Sequence, residues 1–578
     1  MSTYIATVLD TTGIQPYIFG SNRLRENIGA SYLASQATDA WVRHALRQLR
    51  DDHGHVVYIP QHGGASGGDP HIDDGKAAAE LVYAAGGNAV LLFADIDLAR
   101  HFARILTAQV LREAPGLSIV VAHREFEWGT TLHAVVDDLM AHGIDRQKRE
   151  RVPSSPLLGL GVTAACASTG LAAVATSDRC IDAPDAPERK RLRDDRYPVA
   201  PEIAEKLRAS NQANAKLADD LYVAGHDELG IGVGEMTYIF PYDLDNLGRS
   251  VGESSYVAVV HADGNGMGDR FKQLGKRNLP DPQYIEAAYA LSYSIDQAGR
   301  NALRHTLSIL TRSIRLDKQG HPSIMGHIPL APREGHARQW YLPFRPLVYG
   351  GDDVTFVCDG RLGLALAELY LRSFENQPVV DGGRLTACAG ICVTKTHYPF
   401  ARAYALSEEL CRRAKGLVRA EKVGNEAFSV LDWHIAASGL AGSLGEIRER
   451  EYRVGEGYLE MRPVRLRRTS SDIDWRTWSG FSEVTRTLRD GPDWRGRRNK
   501  VIALREALRA EAHTTAQFVR AYGLGELPRY KHVNRGIADA LARTGWYGDR
   551  CGYFDAVEAM EFYTMLDEGQ QVYEGQQV

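Results

Sequence analysis

The chain has 578 residues, a formal net charge of −5, and a composition of 44% hydrophobic and 24% charged residues. This length is too great for one hydrophobic core, so we expect several domains. The mildly negative charge excludes the overall basic surface that is typical of nucleic-acid-binding proteins. Seven cysteines in so long a chain do not predict a disulfide framework.

One uncharged stretch, residues 157–177, could be taken for a membrane span. A span needs about 20 predominantly apolar residues. This stretch is rich in small residues and contains the hydroxyl side chains of Thr163, Ser168, Thr169 and Thr176. No basic and then apolar leader opens the sequence. We therefore expect no membrane segment and a cytoplasmic protein.

The first part of the chain predicts one α/β unit. Apolar, β-branched runs predict strands, helical spacing of apolar residues predicts helices, and Gly86-Gly87 predicts a tight hairpin turn. In chain order we expect a strand over 4–10, a helix over 30–49, a Gly-rich loop over 63–74, a hairpin over 83–93, a helix over 98–113, a strand over 117–122 and a helix over 132–142.

The same order of elements returns after a charged, Pro-containing linker over residues 182–201. Here we expect a strand over 256–262, a helix over 284–310, a hairpin over 347–357 with Gly350-Gly351 at its tip, a helix over 364–374, a strand over 385–394 and a helix over 401–415. Beyond residue 432 we expect helices over 497–512, 514–522 and 554–566, and a polar tail from 568.

The recurrence predicts an internal repeat of one α/β unit. Asp10 ends its strand as Asp263 ends its own, and Gly86-Gly87-Asn88-Ala89 aligns with Gly350-Gly351-Asp352-Asp353. Asn88 and Ala89 are poor ligands for divalent cations, whereas two carboxylates are good ones. We therefore interpret the first copy as degenerate and the second as active.

Three carboxylates of the second unit, those of Asp263, Asp352 and Asp353, predict a two-metal site for nucleotidyl transfer. Such a site needs carboxylates that hold two divalent cations, Mg²⁺ or Mn²⁺, a few ångströms apart. Asp263 ends a strand and the other two follow a glycine turn. If the strand and the hairpin are neighbours, the three carboxylates meet at one edge of the sheet.

The residues around these carboxylates predict contacts to a nucleotide. Glycine-rich backbone can present N–H groups to phosphates, so Gly264, Asn265 and Gly266 after the strand and Gly350 and Gly351 at the hairpin are candidates. A lysine near the end of the helix that follows the third strand is a candidate triphosphate contact. That lysine is Lys415.

Taken together, these motifs resemble the large polymerase-cyclase subunit family of type III CRISPR effector complexes. In the second unit the matching segments are Ala262-Asp263-Gly264-Asn265-Gly266-Met267-Gly268, Tyr349-Gly350-Gly351-Asp352-Asp353, Ala389-Gly390-Ile391, His397-Tyr398-Pro399 and Ala414-Lys415. In the first unit they are Gly13-Ile14-Gln15 and the run 24–31.

The resemblance implies two palm domains, one of them degenerate, and a helical C-terminal domain. It implies conversion of ATP into cyclic oligoadenylate, with Asp263, Asp352 and Asp353 holding the metal ions. Many family members begin with an HD nuclease domain and carry a four-cysteine zinc element between the palms. Here we expect a form without the nuclease domain, because the first palm strand opens the sequence, His226-Asp227 stands alone, and only Cys166 and Cys180 lie between the palms.

We therefore expect an α/β (α+β) protein with two ferredoxin-like palm domains and a helical C-terminal domain. The expected divisions are a degenerate palm over 1–150, a linker, zinc-ribbon remnant and helical region over 151–250, a catalytic palm over 251–430 and a helical domain over 431–578.

The expected function is synthesis of a cyclic oligonucleotide or cyclic dinucleotide from NTPs, with ATP the expected substrate, in antiviral defence. Expected partners are RNA or CRISPR complex subunits and an effector protein that the messenger activates. A scaffold subunit of an RNA-guided complex and a diguanylate cyclase-like enzyme remain the alternatives. Diguanylate cyclases continue Gly-Gly-Asp with Glu-Phe, whereas this chain has Asp353-Val354.

Overall fold

The architecture is that of two similar α/β units followed by a mainly helical region. The computed structural model describes residues 2–53, 56–60, 72–129, 132–151, 161–183, 185–221, 236–247, 255–420, 427–436, 442–467 and 475–568. His226-Asp227, most of the predicted Gly-rich loop and the polar tail from residue 569 lie outside these ranges. No helix within them is long and apolar enough to cross a membrane.

The first unit is a sheet with helices on both faces. Its strands are β1 (Thr3–Thr12), β2 (Val57–Tyr58), β3 (Ala79–Ala85), β4 (Asn88–Phe93) and β5 (Ser118–Glu127). They lie in the order β2-β3-β4-β1-β5. Because side chains alternate along a strand, Ala6 and Val8 of β1 enter one hydrophobic core and Ile5 and Leu9 enter the other.

The helices of this unit are α1 (Ile14–Phe19), α2 (Leu24–Thr38), α3 (Ala40–His53), α4 (Ile96–Glu113), α5 (Leu132–Asp138) and α6 (Ile144–Glu150). The helical stretch predicted over 30–49 is present, but it is divided between two helices, α2 and α3. Asp39 separates α2 from α3, since its backbone leaves the helical region and its carboxylate accepts a hydrogen bond from Arg43 Nε at 2.7 Å.

A short region joins the two units. It contains β6 (Ala175–Thr176), α7 (Ala186–Asp194), β7 (Pro198–Val199) and the long helix α8 (Pro201–Leu221). One face of α8 packs on α2 of the first unit, and Lys206 Nζ donates to the carbonyl of Tyr17 at 2.6 Å. Cys166 and Cys180 are buried free thiols here.

The second unit repeats the first with insertions. Its strands are β8 (Thr237–Ile239), β9 (Tyr256–Gly264), β10 (Ile314–Leu316), β11 (Pro322–Ile324), β12 (Ile328–Pro329), β13 (Ala331–Pro332), β14 (Gln339–Tyr341), β15 (Phe344–Gly350), β16 (Asp353–Asp359), β17 (Ala387–Lys395) and β18 (Val430–Ala436). Its helices are α9 (Met267–Gly275), α10 (Asp281–Arg312), α11 (Gly363–Glu375) and α12 (Phe400–Ala420). The main sheet has the order β15-β16-β9-β17-β18.

The C-terminal region adds helices and a small sheet. It contains α13 (Leu444–Glu451), β19 (Arg453–Val454), β20 (Gly457–Tyr458), β21 (Val464–Arg465), α14 (Trp478–Asp490), α15 (Arg498–Arg509), α16 (Glu511–Ala521), α17 (Arg535–Thr544), β22 (Trp546–Tyr547), β23 (Arg550–Cys551) and α18 (Phe554–Ala559). The helix predicted over 554–566 ends early, at Ala559. β18 and β21 extend the second palm sheet beyond residue 430, where the sequence predicts the domain boundary.

The two units share one sheet topology, β3-β4-β1-β5 in the first and β15-β16-β9-β17 in the second. Both hairpin ladders are interrupted at the same place, between Leu81 and Tyr83 and between Pro346 and Val348. In both units a left-handed glycine, Gly13 or Gly266, begins the helix three residues after the aspartate of the central strand. The predicted repeat is present in the fold.

The strand register corrects the predicted alignment of the two turns by one residue. Asp10 lies opposite Asn88, and Asp263 lies opposite Asp353. Asn88 therefore corresponds to Asp353, not to the residue before it. Because both copies contain Gly-Gly, sequence comparison aligns the two glycine pairs with each other. The pairing of the strands shows that the correct alignment is shifted by one residue.

The hairpin tip is corrected in the same way. Gly350 still pairs with Asp353 across the ladder, so the turn is Gly351-Asp352 and not Gly350-Gly351. In the first unit the turn is Gly86-Gly87, as predicted. The first copy thus has glycine and asparagine where the second has two carboxylates, and it remains degenerate under the corrected alignment.

Candidate functional site

Asp263 and Asp353 form a cross-strand pair at the centre of the second palm. They are register partners on the antiparallel strands β9 and β16. Directly opposed residues have Cβ atoms about 4.5–5.5 Å apart. The side chain of Asp353 is 46% exposed and that of Asp263 is 38% exposed, but the Oδ1 atom of Asp353 is buried. The structure therefore brings together two of the three carboxylates predicted from the sequence.

Asp352 joins the pair from the turn. Its carbonyl oxygen accepts a hydrogen bond from Gly264 N at 3.1 Å, which fixes the turn against the end of β9. A Cβ atom placed on Gly264 would lie 2.7 Å from Asp352 Cβ. Gly264 is thus required here because no side chain fits beside Asp352.

Lys415 lies on α12 and contacts the same carboxylate group. Its Nζ is 2.5 Å from Asp263 Oδ2 and donates to the carbonyl of Gly264 at 3.1 Å. α12 packs on β17 and β9, which places the lysine at the carboxylate edge of the sheet. A residue 152 positions from Asp263 in the sequence is therefore part of this site.

The pKa values of two of the three carboxylates, Asp352 and Asp353, are raised. Burial and the nearby Asp263 raise the pKa of Asp352, while Lys415 opposes the rise. Burial, Asp263 and Asp352 raise the pKa of Asp353 well above its usual range. Like charges held close together disfavour the ionised form. A bound cation would relieve this repulsion.

Two observations bear on a metal ion at this site. Asp353 Oδ1 is buried and makes no hydrogen bond within the described residues, although His261 Nδ1 lies 3.4 Å away. Carboxylate oxygens are the ligands that Mg²⁺ prefers. Within the described ranges no group of three or more His, Cys, Asp or Glu side chains is arranged to hold a metal ion. The three carboxylates are suitable ligands for a divalent cation. Asp263 is ion-paired with Lys415, however, so this ion pair would have to break before Asp263 could bind a cation.

The loop after β9 is held by side chains rather than left open. Asn265 Nδ2 donates to Thr386 Oγ1 at 3.2 Å and to the carbonyl of Phe428 at 3.3 Å. Gly266 begins α9 with a φ of +71°. Asn265 therefore ties the loop to its neighbours, and its predicted nucleotide contact remains a prediction, as do those of Gly264, Gly266, Gly350 and Gly351.

A cavity of about 760 Å³ lies between the two palms. Residues of both hairpin ends line it, among them Gly86, Gly87 and Gly350, together with Asp352 and Asp353. α2 of the first palm contacts β15, and α10 of the second contacts β3. The two palms thus enclose one shared space.

The first palm keeps one element of the site that sequence reasoning missed. Lys148 Nζ lies 2.6 Å from Asp10 Oδ2, as Lys415 Nζ lies beside Asp263 Oδ2. Lys148 also lines the cavity. A search for a lysine after the third strand of each repeat would have found it. His261 was missed as well, because a buried histidine on a strand carries no motif.

These features define the class of protein: an α/β chain with two palm units, a degenerate first copy and a second copy that has carboxylates opposed across its central strands. No family model and no curated protein matches the chain.

Among solved structures, the chain is similar to the Csm1-Csm4 cassette in complex with cA4, at 14% identity and a TM-score of 0.48 over 97% of this chain and 69% of the other. It is also similar to the cassette in complex with AMPPNP, at 15% identity and a TM-score of 0.46 over 97% and 69%. A third is the Csm1-Csm4 subcomplex in the type III-A CRISPR-Csm interference complex, at 14% identity and 0.47 over the same shares.

Proposed function

We propose that this protein is a metal-dependent nucleotidyltransferase that joins NTPs into a cyclic oligonucleotide or cyclic dinucleotide. The observation that carries the proposal is the Asp263–Asp353 cross-strand pair, which Asp352 and Lys415 join. Asp352 and Asp353 line the cavity between the palms. Neighbouring carboxylates are the residue types that phosphoryl transfer by two metal ions uses.

Asp263, Asp352 and Asp353 would hold two divalent cations, Mg²⁺ or Mn²⁺. When bound, the cations lower the pKa of the attacking hydroxyl and neutralise charge on the leaving pyrophosphate. Lys415, which contacts Asp263, would supply a positive charge to the triphosphate.

The shared cavity supports a second NTP against the first palm. Cyclic products need one nucleotide to donate its α-phosphate and another to supply the attacking hydroxyl. The degenerate palm retains the Asp10–Lys148 pair and its glycine turn at the cavity wall. It would hold the acceptor nucleotide, and it needs no metal-binding carboxylates for that task.

The motif resemblance extends the proposal to substrate and setting. It favours ATP as the substrate and antiviral defence as the role, with an effector protein that binds the messenger. It also favours association with RNA or with subunits of an RNA-guided complex. Ring size and linkage follow from the shape of the cavity around two bound nucleotides.

The test is product formation by the purified protein. The protein is incubated with each NTP and either Mg²⁺ or Mn²⁺, with and without RNA, and products are resolved by mass spectrometry. We expect a cyclic product from ATP that is lost in the Asp352→Ala, Asp353→Ala double variant. Asp97→Ala is a matched control, because Asp97 is 88% exposed on α4, on the surface of the first palm.

One result would overturn the proposal, and a second would overturn ATP as the substrate. Absence of product from every NTP under all these conditions would favour a scaffold subunit without catalysis. A product made from GTP alone, as a cyclic dinucleotide, would favour a diguanylate cyclase-like enzyme.

A further inference from the structure

The turn that carries the carboxylates is held by a side chain of α10, which also lines the cavity. Asp296 Oδ1 accepts a hydrogen bond from Gly351 N at 3.1 Å. Gly350 and Gly351 have φ values of +120° and +66°, a conformation that side-chain-bearing residues rarely adopt. The hydrogen bond from Gly351 N to Asp296 therefore restrains a Gly-Gly segment that would otherwise have wide conformational freedom.

α10 approaches this turn almost backbone to backbone. A Cβ atom placed on Gly299 would clash with the carbonyl oxygen of Gly351, and one placed on Gly350 would lie 3.1 Å from Asp296 Oδ1. Only glycine fits at these positions without movement. The helix therefore fixes where the turn lies, and Asp296 fixes how its peptide groups are oriented.

Asp296 is itself held by a row of charged groups that reaches α8. Arg300 Nε donates to Asp296 Oδ2 at 2.8 Å, and Arg300 Nη1 lies 3.0 Å from Asp220 Oδ2. Asp220 also accepts a hydrogen bond from the Tyr349 hydroxyl at 3.1 Å and pairs with Lys216 at 2.7 Å. The row therefore connects α8, α10 and β15 just before the turn.

These pairs are largely shielded from solvent. The side chains of Asp296 and Arg300 are 21% exposed and that of Asp220 is 18% exposed. Burial alone would raise the pKa of Asp220, but Arg300 and Lys216 together lower it below its usual value. Charged hydrogen bonds in such surroundings are stronger and more directional than those on an open surface.

We propose that Asp296 is a positioning residue for nucleotidyl transfer, which orients the Gly351-Asp352 turn and is itself oriented by Arg300 and Asp220. The inference rests on the proposed function for its catalytic consequence. Reactive groups misplaced by about 1 Å can lower a rate on the order of 100-fold. Asp296 acts on the rate through Asp352 and Asp353.

The test compares Asp296→Ala, Asp296→Asn and a control, Glu368→Ala. Asparagine keeps an oxygen that can accept from Gly351 N, whereas alanine does not. Glu368 forms the same kind of i,i+4 pair, with Arg372 on α11 at 2.9 Å, and its side chain is similarly shielded. Two readouts are made: steady-state kinetics, and hydrogen exchange of the Gly351 amide by mass spectrometry with fragmentation.

For Asp296→Ala we expect kcat to fall about 10- to 100-fold with little change in KM, and exchange at Gly351 to accelerate at least about 10-fold, as expected for loss of a protecting hydrogen bond. Asp296→Asn should recover most of both, and Glu368→Ala should change neither. Unchanged exchange at Gly351 in Asp296→Ala would overturn the inference, as would equal losses in the control. If the wild-type protein forms no product, the proposed function fails, while the exchange measurement still decides whether Asp296 holds the turn.

Discussion

At the scale of single residues, the site depends on positions where a side chain cannot be accommodated. Gly264 ends β9 directly beside Asp352, and its amide donates to the carbonyl of that residue. The sequence singles out Gly264 as a candidate phosphate contact, but nothing in the letters indicates that packing requires a glycine there. Its requirement arises from the turn that β16 brings against it, so it could be interpreted only once the strands were paired.

The first prediction concerns Gly264→Ala. The added methyl group would lie 2.7 Å from Asp352 Cβ, so Asp352 or the turn must move. We expect kcat/KM for product formation to fall about 100-fold, on the scale of losing one well-placed catalytic group. Thermal unfolding and kinetics are measured together.

The control is Gly416→Ala, one residue from Lys415 on α12, where an added Cβ meets nothing within 4 Å. It should leave activity unchanged, and the helix should be stabilised slightly. Equal activity in Gly264→Ala and wild type would contradict the packing argument.

At the scale of elements, β18 shows how an apolar run can contain a buried titratable group. His434 is 2% exposed and packs edge-on against the Tyr452 ring at 6.1 Å. Burial, and then Arg462 and Arg448, lower the pKa of His434 from 6.5 to about 3. Most strands and helices of the palms can be predicted from the apolar period and the turn residues. The burial of His434 on β18 cannot be predicted in this way, because Tyr452, which packs against it, lies in the C-terminal region.

The second prediction follows from that pKa. Between pH 6.5 and about 3 the unfolded chain binds a proton at His434 that the folded chain does not, so this group's contribution to stability decreases as pH falls. Each pH unit in that window lowers the free energy of unfolding by about 1.4 kcal/mol.

The measurement is urea unfolding of wild type and His434→Gln at pH 7.5 and pH 5.5. Glutamine does not titrate, so the variant should lose about 1 kcal/mol less than wild type on acidification. Identical losses in the two proteins would show that His434 is not buried in its neutral form.

At the scale of the whole molecule, the proposed function requires two palms that face each other across the cavity. Phe19 of α1 stacks on Tyr404 of α12 with ring centroids 3.8 Å apart, and the ring centroid of Phe400 is 6.1 Å from that of Phe19. α12 also carries Lys415. The aromatic contact therefore joins the first palm to the helix that carries Lys415 of the candidate site.

The third prediction is that Phe19→Ala affects both stability and activity. Loss of a buried phenylalanine costs about 3–5 kcal/mol. We also expect kcat to fall on the order of 10-fold well below the unfolding temperature, since α12 loses its support.

Phe102→Ala provides the comparison, because Phe102 is fully buried inside the first palm against Phe93. It should be destabilising to a similar degree but should leave kcat within about 2-fold of wild type when the protein is folded. A similar loss of kcat in both variants would show that the contact between the palms is not specific.

The sequence by itself predicted the repeat, most of the strands and helices of both palms and the three carboxylates of the candidate site, because apolar period, glycine turns and acidic residues are local properties of the chain. Only the tertiary structure decided which residues face one another. The register that opposes Asp263 to Asp353 corrected the alignment of the turns by one position. Lys148, Asp296 and His261 entered the site description through contacts between distant segments, and such contacts are set by packing, which no local pattern encodes.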